Sequence, residues 1–162
     1  MADSAIDTYL NDHLAGAMFG RDLADQIRDR ADGTPLGEAM RSLALAIDED
    51  RQSLIDLMGR LGTPKNPVKQ VTTWLAAKAS RAKFGGLAGG ETELGLFMSL
   101  EALAIGVEGK RCLWSALREV VAEHPELDPA ELDRLAERAQ SQRQVLERER
   151  TDAARRALHG DQ

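Results

Sequence analysis

Apolar residues recur at spacings of three, four and seven through the first part of the chain. Between Ile6 and about Arg30 they form one stripe, made of Leu10, Leu14, Ala17, Ala24 and Ile27. Such a stripe is typical of an amphipathic helix. A turn follows, in which Thr34 is the predicted N-cap and Pro35 the first residue of a second helix. The connection is so short that we expect an antiparallel hairpin.

The second and third long helices are separated by a segment of different character. Gly62 and Pro64 predict the end of the second helix. Between Pro64 and Gly90 we expect a short crossover helix at residues 68–84 and a glycine-rich hinge at residues 85–90. The chain therefore reads as two hairpins joined by one crossover.

The third long helix opens at Glu91 in this reading, is apolar on most of its circumference and is stopped by Pro125. Asp128 and Pro129 then predict the start of a last helix that runs to Leu158. The expected fold is all-α: an up-down-down-up four-helix bundle in a single domain, residues 1–162.

Composition and charge narrow the classes of partner and location that we expect for the chain. Charged residues make up 30% of the 162 residues and the net charge is −6, so no nucleic-acid partner is expected. The only cysteine, Cys112, has apolar sequence neighbours and is predicted to be a packed thiol. Residues 1–9 lack the basic and apolar regions of a leader, and no apolar stretch has the ~20 residues of a membrane span. We expect a cytoplasmic protein without a transmembrane segment.

Two short runs resemble a known superfamily. Tyr9 to Gly16 reads Tyr-Leu-Asn-Asp-His-Leu-Ala-Gly, and Leu100 to Leu103 reads Leu-Glu-Ala-Leu. With the helix order, these runs make nearly the whole chain similar to the ferritin-like superfamily, particularly its small uncharacterised bacterial four-helix bundles. The resemblance implies a two-metal centre of iron or manganese. Such a centre takes a carboxylate from each of two helices and Glu-x-x-His from each of the other two.

The ligands of that centre are incomplete in this sequence. Glu49 and Glu108 lie near the middle of their helices, but Glu-x-x-His occurs nowhere, and Gln52 stands where the histidine would belong. Asp12 and His13 are placed more than a turn too far from the first hairpin to serve. The pattern predicts a degenerate metal site without a cofactor. The alternative is a non-standard iron or manganese site, for which the candidates are Glu49, Gln52, Glu101 and Glu108.

Charged side chains are instead predicted to form a buried polar layer. Counting outward from the second hairpin aligns Glu108 with Arg143 or Gln144. We expect Asp50 or Glu108 to pair with Arg51 or Arg143, so that a guanidinium replaces the metal charge in the bundle centre. The predicted layer consists of Asp50, Arg51, Glu108 and Arg143.

The crossover has the other unusual charge pattern. Between Asp56 and Glu91 the chain contains basic residues and no acidic one. We expect the apolar stripe of this segment to cover the bundle and its basic residues to neutralise acidic helix faces. The alternative is that these residues form a basic patch that binds an anion or a membrane surface. The residues of the patch are Lys69, Lys78, Arg81 and Lys83.

The leading functional interpretation is a non-enzymatic ferritin-like bundle with an interaction or stress-related role. A homodimer is one assembly that this interpretation allows. The binding partner, a protein or a small molecule, is not identified by the sequence. The alternatives are a metal-binding or oxidase protein and an anion or membrane-surface binder that uses the basic patch.

Overall fold

The structure is a computed structural model that describes residues 4–66 and 92–159. Within these ranges the chain forms four helices and no strand, which confirms the all-α prediction. The helices are α1 (Ala5–Arg30), α2 (Pro35–Leu61), α3 (Glu93–Glu119) and α4 (Pro129–Leu158). The predicted crossover helix, the glycine hinge and the basic patch lie outside the described residues.

Capping residues set the boundaries of α2. The backbone N–H of Gly37 donates to Thr34 Oγ1 at 3.2 Å, which satisfies one of the amides that a helix start leaves without an internal partner. Gly62 ends the helix in the left-handed region, at φ 68°, where a side chain would be strained. Both predicted boundaries of α2 are confirmed.

The start of α3 differs from the prediction. Its N-cap is Thr92, whose Oγ1 accepts a hydrogen bond from the backbone N–H of Gly95 at 3.2 Å, so the helix begins at Glu93 rather than Glu91. The physical reason is the short hydroxyl side chain, which reaches back to the first free amides. Threonine was the stronger start signal in this segment.

The four helices pack as a bundle around one apolar core. The most extensive contacts join α1 with α2 and α3 with α4, and these two hairpins meet where α1 packs on α3 and α2 on α4. Every helix contributes fully buried side chains, among them Leu10, Met40, Leu103 and Leu132. None of the helices in the described ranges is long and apolar enough to cross a membrane.

Cys112 corrects the prediction of a packed thiol, because its side chain is exposed. Its sequence neighbours Leu113 and Trp114 are buried. At 3.6 residues per turn, consecutive side chains point about 100° apart around a helix, so apolar neighbours in sequence do not bury a residue.

Gly37 marks the closest approach of backbone in the first hairpin. A Cβ built there would lie 2.3 Å from the carbonyl oxygen of Ala31, which is backbone and cannot rotate away. We expect Gly37→Ala to destabilise the fold by about 1–3 kcal/mol, as overpacking does. In the control variant Gly59→Ala, the added methyl meets nothing within 4 Å. That variant should gain about 0.5–1 kcal/mol from helix propensity. Urea unfolding of both variants measures the difference, and equal stability would contradict the close approach.

Candidate functional site

A buried polar cluster joins three helices near the middle of the bundle. Lys110 of α3 donates from Nζ to Asp50 Oδ2 of α2 at 2.5 Å and also to Gln142 Oε1 of α4. Gln142 Nε2 donates to the same Asp50 oxygen at 2.8 Å. The Asp50 side chain is fully inaccessible and that of Lys110 is 13% exposed. The cluster therefore holds α2, α3 and α4 at one level.

A second cation approaches Asp50 from α4. Arg138 Nη2 lies 3.1 Å from Asp50 Oδ1 and donates to Glu49 Oε2 at 2.8 Å. The approach to Oδ1 is an ion pair without the direction of a hydrogen bond, so this buried oxygen accepts none from the described residues. Asp50 and Glu49 together balance Lys110 and Arg138, which leaves the group electrically neutral.

Burial acts against the charge on Lys110. It lowers the pKa of the ammonium below the ordinary 10.5, and the nearby carboxylate of Asp50 opposes this shift by favouring the charged form. A buried charge is tolerated only when it is paired and hydrogen-bonded, and both conditions hold here. The cluster is thus internally satisfied except at Asp50 Oδ1.

A cavity of about 300 Å³ lies beside the cluster, between α1, α2 and α3. Asp50 and Lys110 both line it. A Cβ added at Gly16, Gly106 or Gly109 would meet no atom within 4 Å, so the facing helices leave this space unfilled. The small lining residues are Gly16, Ala17 and Gly20 of α1 and Ala102, Gly106 and Gly109 of α3.

The walls of the cavity are mostly apolar, and one of the lining residues carries an unpaired donor. Leu54, Leu103 and Val107 line it together with Trp114, whose side chain is almost completely buried. Trp114 Nε1 has no hydrogen-bond partner among the described residues. Buried indole N–H groups usually find a partner, and an apolar cavity with a few polar groups is the usual form of a small-molecule site.

His13 also lines the cavity, in edge-to-face contact with Tyr9 at 4.6 Å between ring centroids. Burial lowers the pKa of His13 below 6.5, and the charge of Asp12 partly opposes the shift. The residue count predicts that Asp12 and His13 lie more than a turn too far from the first hairpin to be metal ligands at the level of Glu49. Both residues line the same cavity as Asp50, since the lining of α1 extends from Tyr9 to Gly20, about three turns.

The four candidate metal ligands do not converge. Glu49, 69% exposed at its side chain, pairs with Arg138, and Gln52 Nε2 donates to Asp56 at 2.8 Å. The other two, Glu101 and Glu108, pair with arginines of α4. Residues 4–66 and 92–159 contain no group of three or more His, Cys, Asp or Glu side chains close enough to hold a metal ion. This donor set does not fit a two-metal centre, and an ammonium already neutralises the buried carboxylate.

The buried polar layer differs in membership from the predicted one. Of its predicted members, Asp50 is buried. Arg51 pairs with Asp48 at 2.9 Å. Glu108 pairs with Arg143 at 3.0 Å, and these two side chains are 35% and 40% exposed. Lys110 and Gln142, rather than Arg51 and Arg143, bind the buried carboxylate of Asp50.

Sequence reasoning missed Lys110 and Gln142, although a signal exists. Each polar residue of the cluster lies three positions after one core residue and four before another, so it belongs to the apolar stripe of its helix. The three sets are Ile47, Asp50 and Leu54 in α2; Val107, Lys110 and Trp114 in α3; and Ala139, Gln142 and Leu146 in α4.

Comparisons with known proteins do not identify the chain. A scan against protein-family models found no match, and searches of curated proteins and of solved structures found none either.

The buried pair makes a prediction about stability. Lys110→Met leaves the Asp50 carboxylate buried without its main partner, and we expect a loss of about 3–5 kcal/mol in the free energy of unfolding. The double variant Asp50→Leu with Lys110→Met removes both charges and should recover most of that loss. Urea unfolding gives both values.

The matched control is the exposed pair of Arg118 with Asp133, whose atoms lie 3.2 Å apart. Arg118→Met should cost no more than about 1 kcal/mol, the usual value of a surface pair. A loss as small as this in Lys110→Met would show that the Asp50 pair is not buried in solution.

The lowered pKa of His13 predicts that the stability of the fold depends on pH. Because the pKa of His13 is lower in the folded chain than its ordinary 6.5, the unfolded chain binds more protons between these two values. Stability should therefore rise with pH from the lowered pKa up to about 6.5 and then level off. His13→Gln should flatten this rise in thermal unfolding, whereas His159→Gln, at an exposed position, should leave it in place. An unchanged rise in His13→Gln would refute the assignment.

Proposed function

We propose that the chain is a non-enzymatic, ferritin-like bundle that binds a small, uncharged, largely apolar molecule in the cavity between α1, α2 and α3. In this proposal the cluster of Asp50, Lys110 and Gln142 takes the place of a metal centre. The observation that carries the proposal is an apolar cavity of about 300 Å³ that is lined by both members of a buried ion pair and by Trp114, whose N–H has no partner among the described residues.

The helix directions support the ferritin-like order. α1 and α2 are joined by only four residues, 31–34, which makes them antiparallel. Two ion pairs join α2 with α4, and two join α3 with α4. In each set the residue number rises along one helix as it falls along the other, so the two helices are antiparallel. Together they favour up-down-down-up. These pairs are Glu49–Arg138, Arg60–Glu131, Glu108–Arg143 and Arg118–Asp133.

The charges around the cavity favour an uncharged ligand. Two acidic residues, Asp12 and Asp50, and two basic residues, Arg51 and Lys110, line it. Asp50 and Lys110 pair with each other, and Arg51 pairs with Asp48. A charged ligand beside Lys110 would have to break one of these pairs or remain uncompensated in an apolar space, and both are costly.

The size and the free donor narrow the ligand further. An apolar cavity of about 150 Å³ holds benzene in another protein, so twice that volume accommodates a molecule of one or two rings. A ligand with one hydrogen-bond acceptor would pair with the N–H of Trp114 once the indole ring turns toward the cavity, and this N–H has no other partner among the described residues. The class is therefore a small apolar molecule with a single acceptor.

The other interpretations have less support. The candidate metal ligands are paired with arginines or lie apart, so an iron or manganese oxidase would need a different donor set. The anion or membrane-surface function depends on the basic patch, which lies outside the described residues. That function, the cytoplasmic location and the homodimer stay predictions.

Benzyl alcohol is a suitable probe, because it has one apolar ring and one acceptor oxygen. We expect the indole N–H resonance of Trp114 to shift on titration with benzyl alcohol and to saturate at one molecule per chain. Trp114→Phe assigns the resonance, since the chain has two tryptophans. A resonance that shows no saturable shift would contradict the proposal.

A cavity-filling variant tests the location. Gly16→Leu places a side chain where a Cβ meets nothing within 4 Å and should abolish the shift without unfolding the chain. Gly59→Leu is the matched control, because Gly59 is also a helical glycine with open space around it but does not line the cavity. It should leave binding unchanged. Equal binding in both variants would place the ligand elsewhere.

A further inference from the structure

Lys110 brings an amine to the wall of the cavity. Of the two lysines in the described ranges, Lys65 is exposed at the end of the first hairpin, whereas Lys110 lines the cavity with its side chain 13% exposed. Lysines desolvated in apolar pockets are the ones that enzymes and carrier proteins use as nucleophiles toward carbonyl groups. The position of Lys110 thus has a chemical use beyond its ion pair.

Two neighbours of Lys110 fit the same chemistry. Asp50 Oδ2 accepts a hydrogen bond from Lys110 Nζ at 2.5 Å and is therefore placed to take the shared proton. Trp114 follows Lys110 by four residues in α3, so both side chains lie on one face of the helix. Trp114 also lines the cavity, so a carbonyl compound held there would contact its indole ring.

We propose that Lys110 condenses reversibly with a small apolar aldehyde bound in the cavity and forms a protonated imine. This inference rests on the proposed function, because the aldehyde must first occupy the cavity. It narrows the ligand class from apolar molecules with one acceptor to apolar aldehydes.

The step balances without an added reagent. Asp50 takes a proton from the ammonium, and the nitrogen lone pair forms a C–N bond to the aldehyde carbon while the C=O π electrons move to oxygen. The proton from Asp50 and a second proton from nitrogen leave with that oxygen as water. The sum is ammonium plus aldehyde giving iminium plus water, with one positive charge on each side.

The surroundings of Lys110 favour both the neutral amine that attacks and the iminium that forms. Burial lowers the pKa of the ammonium, which increases the fraction of neutral amine that can attack. The iminium keeps the positive charge beside Asp50, so the carboxylate remains paired after the reaction. Gln142 Oε1 also remains available to accept a hydrogen bond from the iminium N–H.

The test is reductive trapping with the full chain. Incubation with benzaldehyde and sodium cyanoborohydride converts an imine into a stable benzylamine, which intact-mass and peptide-mass measurements locate. We expect one benzyl group per chain, on Lys110, and slower labelling when benzyl alcohol competes for the cavity. Lys110→Arg keeps a cation for Asp50 but cannot form the imine, so the label should be lost. Lys65→Arg should retain it.

The outcomes separate this inference from the proposed function. Labelling confined to Lys65, to the other lysines or to the N-terminal amine overturns the reaction at Lys110. If benzyl alcohol still shifts the Trp114 resonance in that case, the binding proposal stands and the aldehyde chemistry fails. Loss of the resonance shift together with absence of the Lys110 label overturns both. Because the label is mapped in the wild-type chain, the result does not depend on how well a variant folds.

Discussion

The middle of this bundle depends on one buried carboxylate. Asp50 is completely inaccessible to solvent, and a charge in that position requires a cation close by. Lys110 supplies it from the neighbouring hairpin, and Gln142 completes the contact from α4. A buried pair of this kind adds little net stability over apolar packing, but it penalises every arrangement in which the partners separate. It therefore fixes the relative level of α2, α3 and α4.

The first helix takes no part in that cluster, and the cavity follows from this. α1 and α3 line the cavity with glycines and alanines, and Leu103 Cδ1 is 3.9 Å from the Cβ position of Gly20. Farther along, Gly16 has open space around it. Side chains that would fill the gap are missing on both helices, while the ion pair holds α3 in place. The cluster and the cavity are thus two consequences of one arrangement, and our proposals place binding and amine chemistry there.

The helices and several of their caps follow from local rules, which is why the sequence predicts them. Thr34 and Gly62 act through backbone hydrogen bonds and φ angles of their own segment. The buried layer depends on partners far apart in sequence. Asp50 carried no local sign that its cation would be Lys110 rather than Arg51, the neighbour on its own helix. The apolar stripe does mark Lys110 and Gln142 as inward-facing, and a stricter use of its period would have included them.

The cavity was beyond sequence reasoning for a different reason. Glycines such as Gly16 and Gly106 read as small residues within a helix, and the space between them depends on the level at which α1 and α3 meet. Cys112 illustrates the same dependence, because a single helical step separates its exposed thiol from buried Leu113. Fold class is encoded locally here, whereas the candidate site is encoded in the register between helices.

A crystal structure of the chain under xenon pressure tests the central claim most directly, because xenon enters apolar cavities and is located by its anomalous scattering. We expect a xenon atom between α1, α2 and α3 beside Trp114, with Lys110 still bonded to Asp50 and Gln142. A cavity closed by side chains, or an Asp50 that binds a metal ion while Lys110 extends into solvent, would contradict both the replaced metal centre and the ligand site.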